Sequence, residues 1–212
     1  MNGDGTDDPG RLVAAGYDEA AERYAALEAS EAPWPRAERL RDLLGRLPAG
    51  AHVLDAGCGN GVPALQLICE RHRATGVEIS KTQAALARRN APQARVIHAS
   101  LADVAFPDGT FAAITAFYVI DHMPRERHGE LFRRFAEWLR PEGSLLFTVE
   151  PYDEPGDVRE WQGVPMFFSQ FDPAATLRLV EEAGLFVLSH DVHVQLEGGR
   201  PVEFLWVLAQ KG

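Results

Sequence analysis

From position 52 onward, short apolar runs alternate with stretches whose apolar residues recur at helical spacing. The strand-like runs are His52 to Asp55, Ala74 to Glu78, Arg95 to His98, Phe111 to Tyr118 and Ser144 to Val149. Strands separated by helices predict a parallel sheet with helices on both faces, hence an α/β fold. Two more runs, Phe186 to Leu196 and Val202 to Ala209, flank Glu197-Gly198-Gly199-Arg200-Pro201, a glycine-rich turn of hairpin length. One of these two must run antiparallel. The expectation is therefore a seven-stranded, mostly parallel sheet that ends in an antiparallel C-terminal hairpin strand.

The helical signals lie between and before these runs. Leu12 to Ala29 is rich in Ala, Glu and Leu, and a second helical stretch, Trp34 to Leu47, stops at Pro48 and Gly50. Ser80 and Gln83 have the spacing of a capping box, and Asp172-Pro173 reads as an N-cap followed by proline at the first helical position. The helix after Pro124 places Leu131, Phe135 and Leu139 on one face and stops at Pro141-Glu142-Gly143. Between the fifth strand and Asp172 lies a segment of about 20 residues with Tyr152, Trp161, Met166, Phe167, Phe168 and Phe171. It reads as a long loop, and such loops are usually lids or binding segments. The chain divides as one domain over 1–212: a helical lid at 1–50, a cofactor-binding core at 51–150, a substrate-binding insertion at 151–171, and a final helix with hairpin at 172–212.

Composition narrows the partners. The 212 residues are 46% hydrophobic and 25% charged, enough to build one core and keep it soluble. A formal net charge of -10 repels a phosphate backbone, so no nucleic-acid partner is expected. The short basic runs Arg71-His72-Arg73 and Arg88-Arg89 fall at helix ends, where cations complement the helix dipole. Cys58 and Cys69 form neither a disulfide framework nor a metal-ligand spacing, so no metal is expected. No apolar run reaches a membrane span, and the opening MNGDGTDDPG is polar and acidic, which predicts a cytoplasmic protein with no membrane partner.

The chemistry concentrates after the first strand. Val53-Leu54-Asp55 runs into Gly57, Gly59 and Gly61 and then into a helix holding Leu65 and Ile68. Glycines there let the chain turn sharply and let a ligand approach the backbone, as a nucleotide-containing cofactor requires. A dinucleotide fingerprint would place its third glycine where Val62 stands. That departure disfavours a nicotinamide cofactor, and Asp55 just before the loop fits a cationic group such as an amino-acid ammonium.

The run Asp55-Ala56-Gly57-Cys58-Gly59-Asn60-Gly61, followed by Gly76-Val77-Glu78-Ile79-Ser80, resembles the first two motifs of class I S-adenosylmethionine-dependent methyltransferases of the small-molecule type. Phe106-Pro107-Asp108-Gly109-Thr110-Phe111, Leu139-Arg140-Pro141-Glu142-Gly143, Glu182-Ala183-Gly184-Leu185 and the terminal hairpin match later landmarks of that family. The resemblance implies a three-layer Rossmann-like sandwich and S-adenosyl-L-methionine as cofactor. It puts Gly57, Cys58 and Gly59 along the methionine portion, Asp55 near its ammonium, Glu78 on the ribose hydroxyls with Ile79 beside it, and Phe117 near the methionine. Where the family often has Gly-Asp before its adenine pocket, this chain reads Ala99-Ser100-Leu101, leaving the Ser100 hydroxyl and the Leu101 N–H for the adenine.

Methyl transfer from a sulfonium is an in-line displacement, governed by alignment and desolvation. His122 is the candidate general base, with Asp121 orienting it or binding a cationic substrate. The alternative reading of both as caps of the helix near Pro124 stands beside it. Phe117-Tyr118-Val119-Ile120 lacks the Asn- or Asp-Pro-Pro-aromatic run of family members that methylate amide or nucleobase nitrogens. His193 is expected to face solvent, and His190 to pack on the apolar face of its strand. Tyr118, Trp161, Phe167 and Phe168 are the expected substrate contacts, and the aromatics favour an apolar or aromatic acceptor with an O, N or C nucleophile. Tyr17 and Tyr24 share a helical face, with Trp34 in the next helix, and fit closure over the sulfonium by cation–π attraction. Two rival functions remain at this level. One is a protein that binds S-adenosylmethionine without transferring its methyl, as rearrangement catalyst or sensor, and the other a nicotinamide-dependent oxidoreductase.

Overall fold

The computed structural model describes residues 8–30 and 35–212, with backbone alone for 28–30. Trp34 lies outside the described residues. Strands β1 (His52–Ala56), β2 (Arg73–Glu78), β3 (Arg95–His98), β4 (Phe111–Ala116) and β5 (Leu139–Val149) pair in parallel in the order β3-β2-β1-β4-β5. Past a short hairpin, β8 (Leu185–Glu197) and β9 (Arg200–Lys211) complete the seven-stranded sheet, with β9 antiparallel to both β5 and β8. The hairpin closes through Gly198 and Gly199, whose φ of 57° and 76° fit the two-residue turn that such a connection needs.

The central strands are buried at nearly every position because successive side chains enter two different cores. Leu54, Ile114, Phe147, Leu205 and Val207 face one core, where they meet Leu131, Phe132 and Phe135 of α5 (His128–Trp138) and Val180 of α6 (Pro173–Glu182). Val53, Ala113, Leu146 and Trp206 face the other. There they meet Leu40 and Leu43 of α2 (Arg36–Gly45), Leu65 and Ile68 of α3 (Ala64–Cys69) and Ala87 of α4 (Lys81–Asn90). The result is the expected three-layer Rossmann-like sandwich with its helical preface. Among the described residues no helix is long and apolar enough to cross a membrane.

Several expected details differ. The segment at 151–171 is not a loop: β6 (Glu154–Trp161) and β7 (Val164–Gln170) form a separate antiparallel hairpin. Its turn is Gln162-Gly163, with φ of 51° and 76°. Val164, Met166 and Phe168 alternate inward onto Val13 and Ala20 of α1 (Pro9–Ser30), a third core that fixes helix and hairpin together. Leu139 begins β5 rather than ending α5, yet is fully buried either way. Strand β4 stops at Ala116, because Tyr118 takes a left-handed φ of 54° and leaves the sheet. His190 is exposed rather than packed, since β8 is the edge strand and Val192, Val194 and Leu196 beside it are also open to solvent. His193 is half-buried.

The caps fare unequally. Asp172 accepts from the Ala175 N–H at 2.9 Å with Pro173 at the first turn, as expected. Ser80 Oγ accepts from Gln83 N–H at 3.0 Å, but Gln83 does not return the bond, and Glu78 Oε1 takes the Ser80 N–H at 2.8 Å instead. That exchange ties a helix start to the site.

Candidate active site

Ligand crevices in open parallel sheets form at the carboxyl ends of the strands, where the order reverses, here between β1 and β4. The loop after β1 is shaped by its backbone. Gly57, Gly59 and Gly61 all have positive φ (74°, 53° and 82°), and Gly57 and Cys58 donate their N–H groups to Val77 O at 2.8 and 3.0 Å. A Cβ on Gly57 would lie 2.4 Å from Val119 Cγ2, so only glycine lets this loop meet the loop after β4. A Cβ on Gly59 would meet nothing within 4 Å, which leaves that part of the loop open.

Glu78, at the end of β2, fixes the loop from below. Its Oε2 accepts from Gly59 N–H at 2.9 Å and its Oε1 from Ser80 N–H, so both oxygens are engaged by backbone rather than left bare. Each oxygen keeps a second lone pair for a ligand hydroxyl. Burial pushes the carboxyl up to about 7, against its backbone hydrogen bonds and helped by nearby Asp55. Asp55 is itself buried and accepts from Thr115 Oγ1 at 2.6 Å. The Cys58 thiol is raised well above its usual range by burial and by both carboxylates, so it stays protonated.

These groups wall a cavity of about 560 Å³. Every residue expected at the cofactor lies on that wall: Tyr17, Tyr24, Asp55, Gly57, Cys58, Gly59, Glu78, Ile79, Ser100, Leu101 and Phe117. The Ser100 hydroxyl already accepts from Ala102 N–H at 3.1 Å, capping a turn. The sequence reading missed Asp103 and Arg36, which share the wall. Asp103 stands just past the expected motif, and Arg36 is brought in by α2, which no local pattern links to the loop. Arg36 Nη2 donates to Val62 O at 3.3 Å, and its guanidinium lies 5.7 Å from the Tyr118 ring centroid.

A second cavity of about 340 Å³ adjoins the first, and Tyr17, Tyr24, Tyr118 and His122 line both. At this partition the rings of Tyr17 and Tyr24 lie 5.6 Å apart edge to face, each within 5.4 Å of Trp161. His122 Nδ1 lies 2.9 Å from Phe167 O, which can only accept, so Nδ1 carries the hydrogen. Nε2 is then the acceptor, and it receives the Tyr17 hydroxyl at 2.9 Å. Burial pushes the imidazole down to about 4, keeping it neutral. His122 thus caps no helix; it joins α1 to the hairpin strand β7.

Of the other expected substrate contacts, Trp161 and Phe168 line the second cavity, while Phe167 lines neither and contributes its carbonyl. Tyr118 donates its hydroxyl to Gln195 Oε1 at 3.0 Å, and its N–H bonds Thr148 Oγ1 at 2.7 Å. Asp121 faces the second cavity and does not bond His122. Its Oδ2 accepts from Glu150 N–H at 3.2 Å, and burial with the neighbouring Glu150 charge pushes it up to about 8. Glu150, Arg159 and Phe204 also line this cavity and carried no sequence signal, because three different elements, the end of β5, the strand β6 and the strand β9, bring them together. Among the described residues, no group of three or more His, Cys, Asp or Glu side chains is placed to hold a metal.

Known proteins resemble this chain in sequence and in fold. The model of a methyltransferase domain matches residues 53–143. A 27-O-demethylrifamycin SV methyltransferase of Amycolatopsis mediterranei is 38% identical over 166 residues, which cover 69% of this chain and 59% of that one. A nocamycin O-methyltransferase of Saccharothrix syringae is 33% identical over 140 residues, covering 62% and 48%. The chain therefore spans only about half the length of these curated relatives. The solved magnesium protoporphyrin IX methyltransferase of Synechocystis with bound S-adenosylmethionine superposes with a TM-score of 0.74 at 15% identity, over 99% of this chain and all of that one. A glycine loop closed by Val119 at Gly57, a buried carboxylate bonded to it, the sheet order and these matches agree: the chain carries a methyltransferase domain over residues 53–143, in a fold like that of the class I S-adenosylmethionine-dependent methyltransferases.

Proposed function

We propose that the larger cavity holds S-adenosylmethionine, the smaller one a small-molecule acceptor, and that the methyl group passes across the partition between them. The observation that carries this reading is the set of residues shared by both walls: Tyr17, Tyr24, Tyr118 and His122. The larger cavity is of the size usual for small ligands and is built for this one. Asp55 faces the amino-acid ammonium, Arg36 supplies a cation toward the carboxylate, and Glu78 receives the ribose hydroxyls. Ser100, Leu101 and Asp103 stand at the adenine end. When bound, the cofactor supplies an electrophilic methyl on a sulfonium.

The chain's own work is to align the acceptor, exclude water and receive a proton. Tyr17 and Tyr24 present their rings where the sulfonium charge would sit, an attraction that strengthens in a desolvated site. His122 is held in one tautomer by Phe167 O, so its Nε2 lone pair points at the partition. An acceptor hydroxyl takes the place of the Tyr17 hydroxyl on Nε2 and gives up its proton there as the new bond forms. A neutral imidazole keeps that lone pair free to take the proton. The relatives named for rifamycin and nocamycin O-methylation support an oxygen nucleophile on an apolar or aromatic molecule. The test is a panel of phenols, alcohols, carboxylic acids and amines scored by release of S-adenosylhomocysteine. Release with a hydroxylated aromatic supports the reading; cofactor binding with no release from any of them contradicts it.

A further inference from the structure

The second cavity carries more negative charge than alignment of an acceptor needs. Asp121, Glu150, Glu160, Glu197 and Glu203 line it, against the guanidiniums of Arg159 and Arg200. Most of these charges are already answered within the protein. Arg159 Nη2 bonds Glu150 Oε2 at 2.9 Å, and its guanidinium lies 4.1 Å from the centroid of the Phe168 ring. Glu203 accepts the Tyr152 hydroxyl, and Glu197 accepts from Gln195 Nε2 at 3.1 Å.

Asp121 differs. Only 3% of it is exposed, one oxygen is held by Glu150 N–H, and Oδ1 has no hydrogen-bond partner among the described residues. Buried carboxyl oxygens are seldom left in that condition, because an unmet acceptor loses its hydration without a replacement. At a cavity wall, the missing partner belongs to a ligand. The rings of Tyr118, Trp161 and Phe204 line the same cavity, and ring faces attract a cation within about 6 Å.

We propose that the second cavity takes its acceptor by a cationic amine, whose N–H is received by Asp121 Oδ1 and whose charge sits among the rings of Tyr118, Trp161 and Phe204. The proposal rests on the reading of this cavity as the acceptor site. The amine is the handle and not the nucleophile, because Asp121 faces the second cavity alone whereas His122 faces both. The reacting oxygen then lies at the partition, on the His122 side of the same molecule. An alcohol would satisfy the same oxygen but gain none of the attraction from the carboxylates, and an anion would be repelled by them.

The test uses three aromatic probes of similar size: phenethylamine, 2-phenylethanol and phenylacetate. Each is titrated into the full chain saturated with S-adenosylhomocysteine, with binding read by calorimetry or by chemical-shift change. The amine is expected to bind about tenfold more tightly than the alcohol, with phenylacetate weakest. In Asp121→Asn that preference falls below about threefold while affinity for S-adenosylhomocysteine stays unchanged. A second readout needs no substitution. Asp121 is raised by burial and by Glu150, with Arg159 opposing, so it must shed a proton to pair with the ammonium. Amine binding at pH 7 should therefore release close to one proton, seen as a binding enthalpy that differs between phosphate and Tris buffers. An alcohol that binds as tightly as the amine, a preference that survives Asp121→Asn, or amine binding without proton release would each overturn the proposal. Failure of S-adenosylhomocysteine to bind would instead count against the methyltransferase reading, and the same titrations run without it would still decide the amine question.

Discussion

At the scale of single residues, the site depends on positions where the backbone leaves no choice. Gly57 combines a φ of 74° with a Val119 methyl 2.4 Å from where a Cβ would stand. Gly57→Ala is therefore expected to cost about 2–3 kcal/mol in denaturant unfolding and to abolish binding of S-adenosylhomocysteine. Adding Val119→Ala should recover part of the stability, and strict additivity of the two changes would show that the close approach is not the cause. For His122 the expectation concerns rate: His122→Phe should lower kcat by roughly 10²-fold, well beyond any loss of S-adenosylhomocysteine affinity from the broken tie to α1. Full turnover would reduce His122 to the tie between α1 and β7. The glycine loop and Glu78 were legible because each sits in a short contiguous motif, Asp55 to Gly61 and Gly76 to Ser80. Asp103 and Arg36 were not, since one lies just beyond the motif and the other arrives from a separate helix.

At the scale of elements, the strands of the main sheet could be read because each is an apolar run bounded by turn residues. The hairpin at 154–170 was misread as a loop for two physical reasons. Its outer strand, β6, is almost wholly exposed and polar, so it shows no alternation of the usual kind. Its turn is Gln162-Gly163, outside the Asn-Gly and Asp-Gly pairs that mark such turns most strongly. The alternation of Val164, Met166 and Phe168 was nevertheless present. That strand holds α1, and the contact is close: a Cβ on Gly16 would meet Met166 Cε at 2.9 Å and Pro165 O at 3.3 Å. Gly16→Leu should push α1 away from β7, cost about 1–3 kcal/mol, and weaken cofactor affinity by increasing exchange in α1. Hydrogen exchange resolved by segment checks this, and α1 amides protected as in the unsubstituted chain would contradict it.

At the scale of the whole molecule, the site stores ionisable groups that folding holds away from their ordinary states. Glu78 and Asp121 are raised to about 7 and about 8, chiefly by burial. Both take up protons more readily when folded than when unfolded, so their contribution is present at lower pH and is lost as pH rises through 7 to 8. His122 acts in the other direction: unfolded it binds a proton near 6.5, folded only near 4, so its opposing contribution appears below pH 6.5. Between pH 6 and 8 the carboxyls dominate. Without ligand, the protein should be on the order of 2 kcal/mol more stable at pH 6 than at pH 8, measured by urea unfolding with constant m. A flat profile would show that the two carboxyls are not held as described.

The central claim is that the cavity under the glycine loop is the cofactor site, with Glu78 as the group that receives the ribose. Calorimetric titration of S-adenosylhomocysteine at pH 7.5 into the unsubstituted chain and into Glu78→Ala tests it directly. The account predicts a single site in the first, and affinity at least about tenfold weaker in the second. No binding to the unsubstituted chain, or equal affinity in the two, would contradict it.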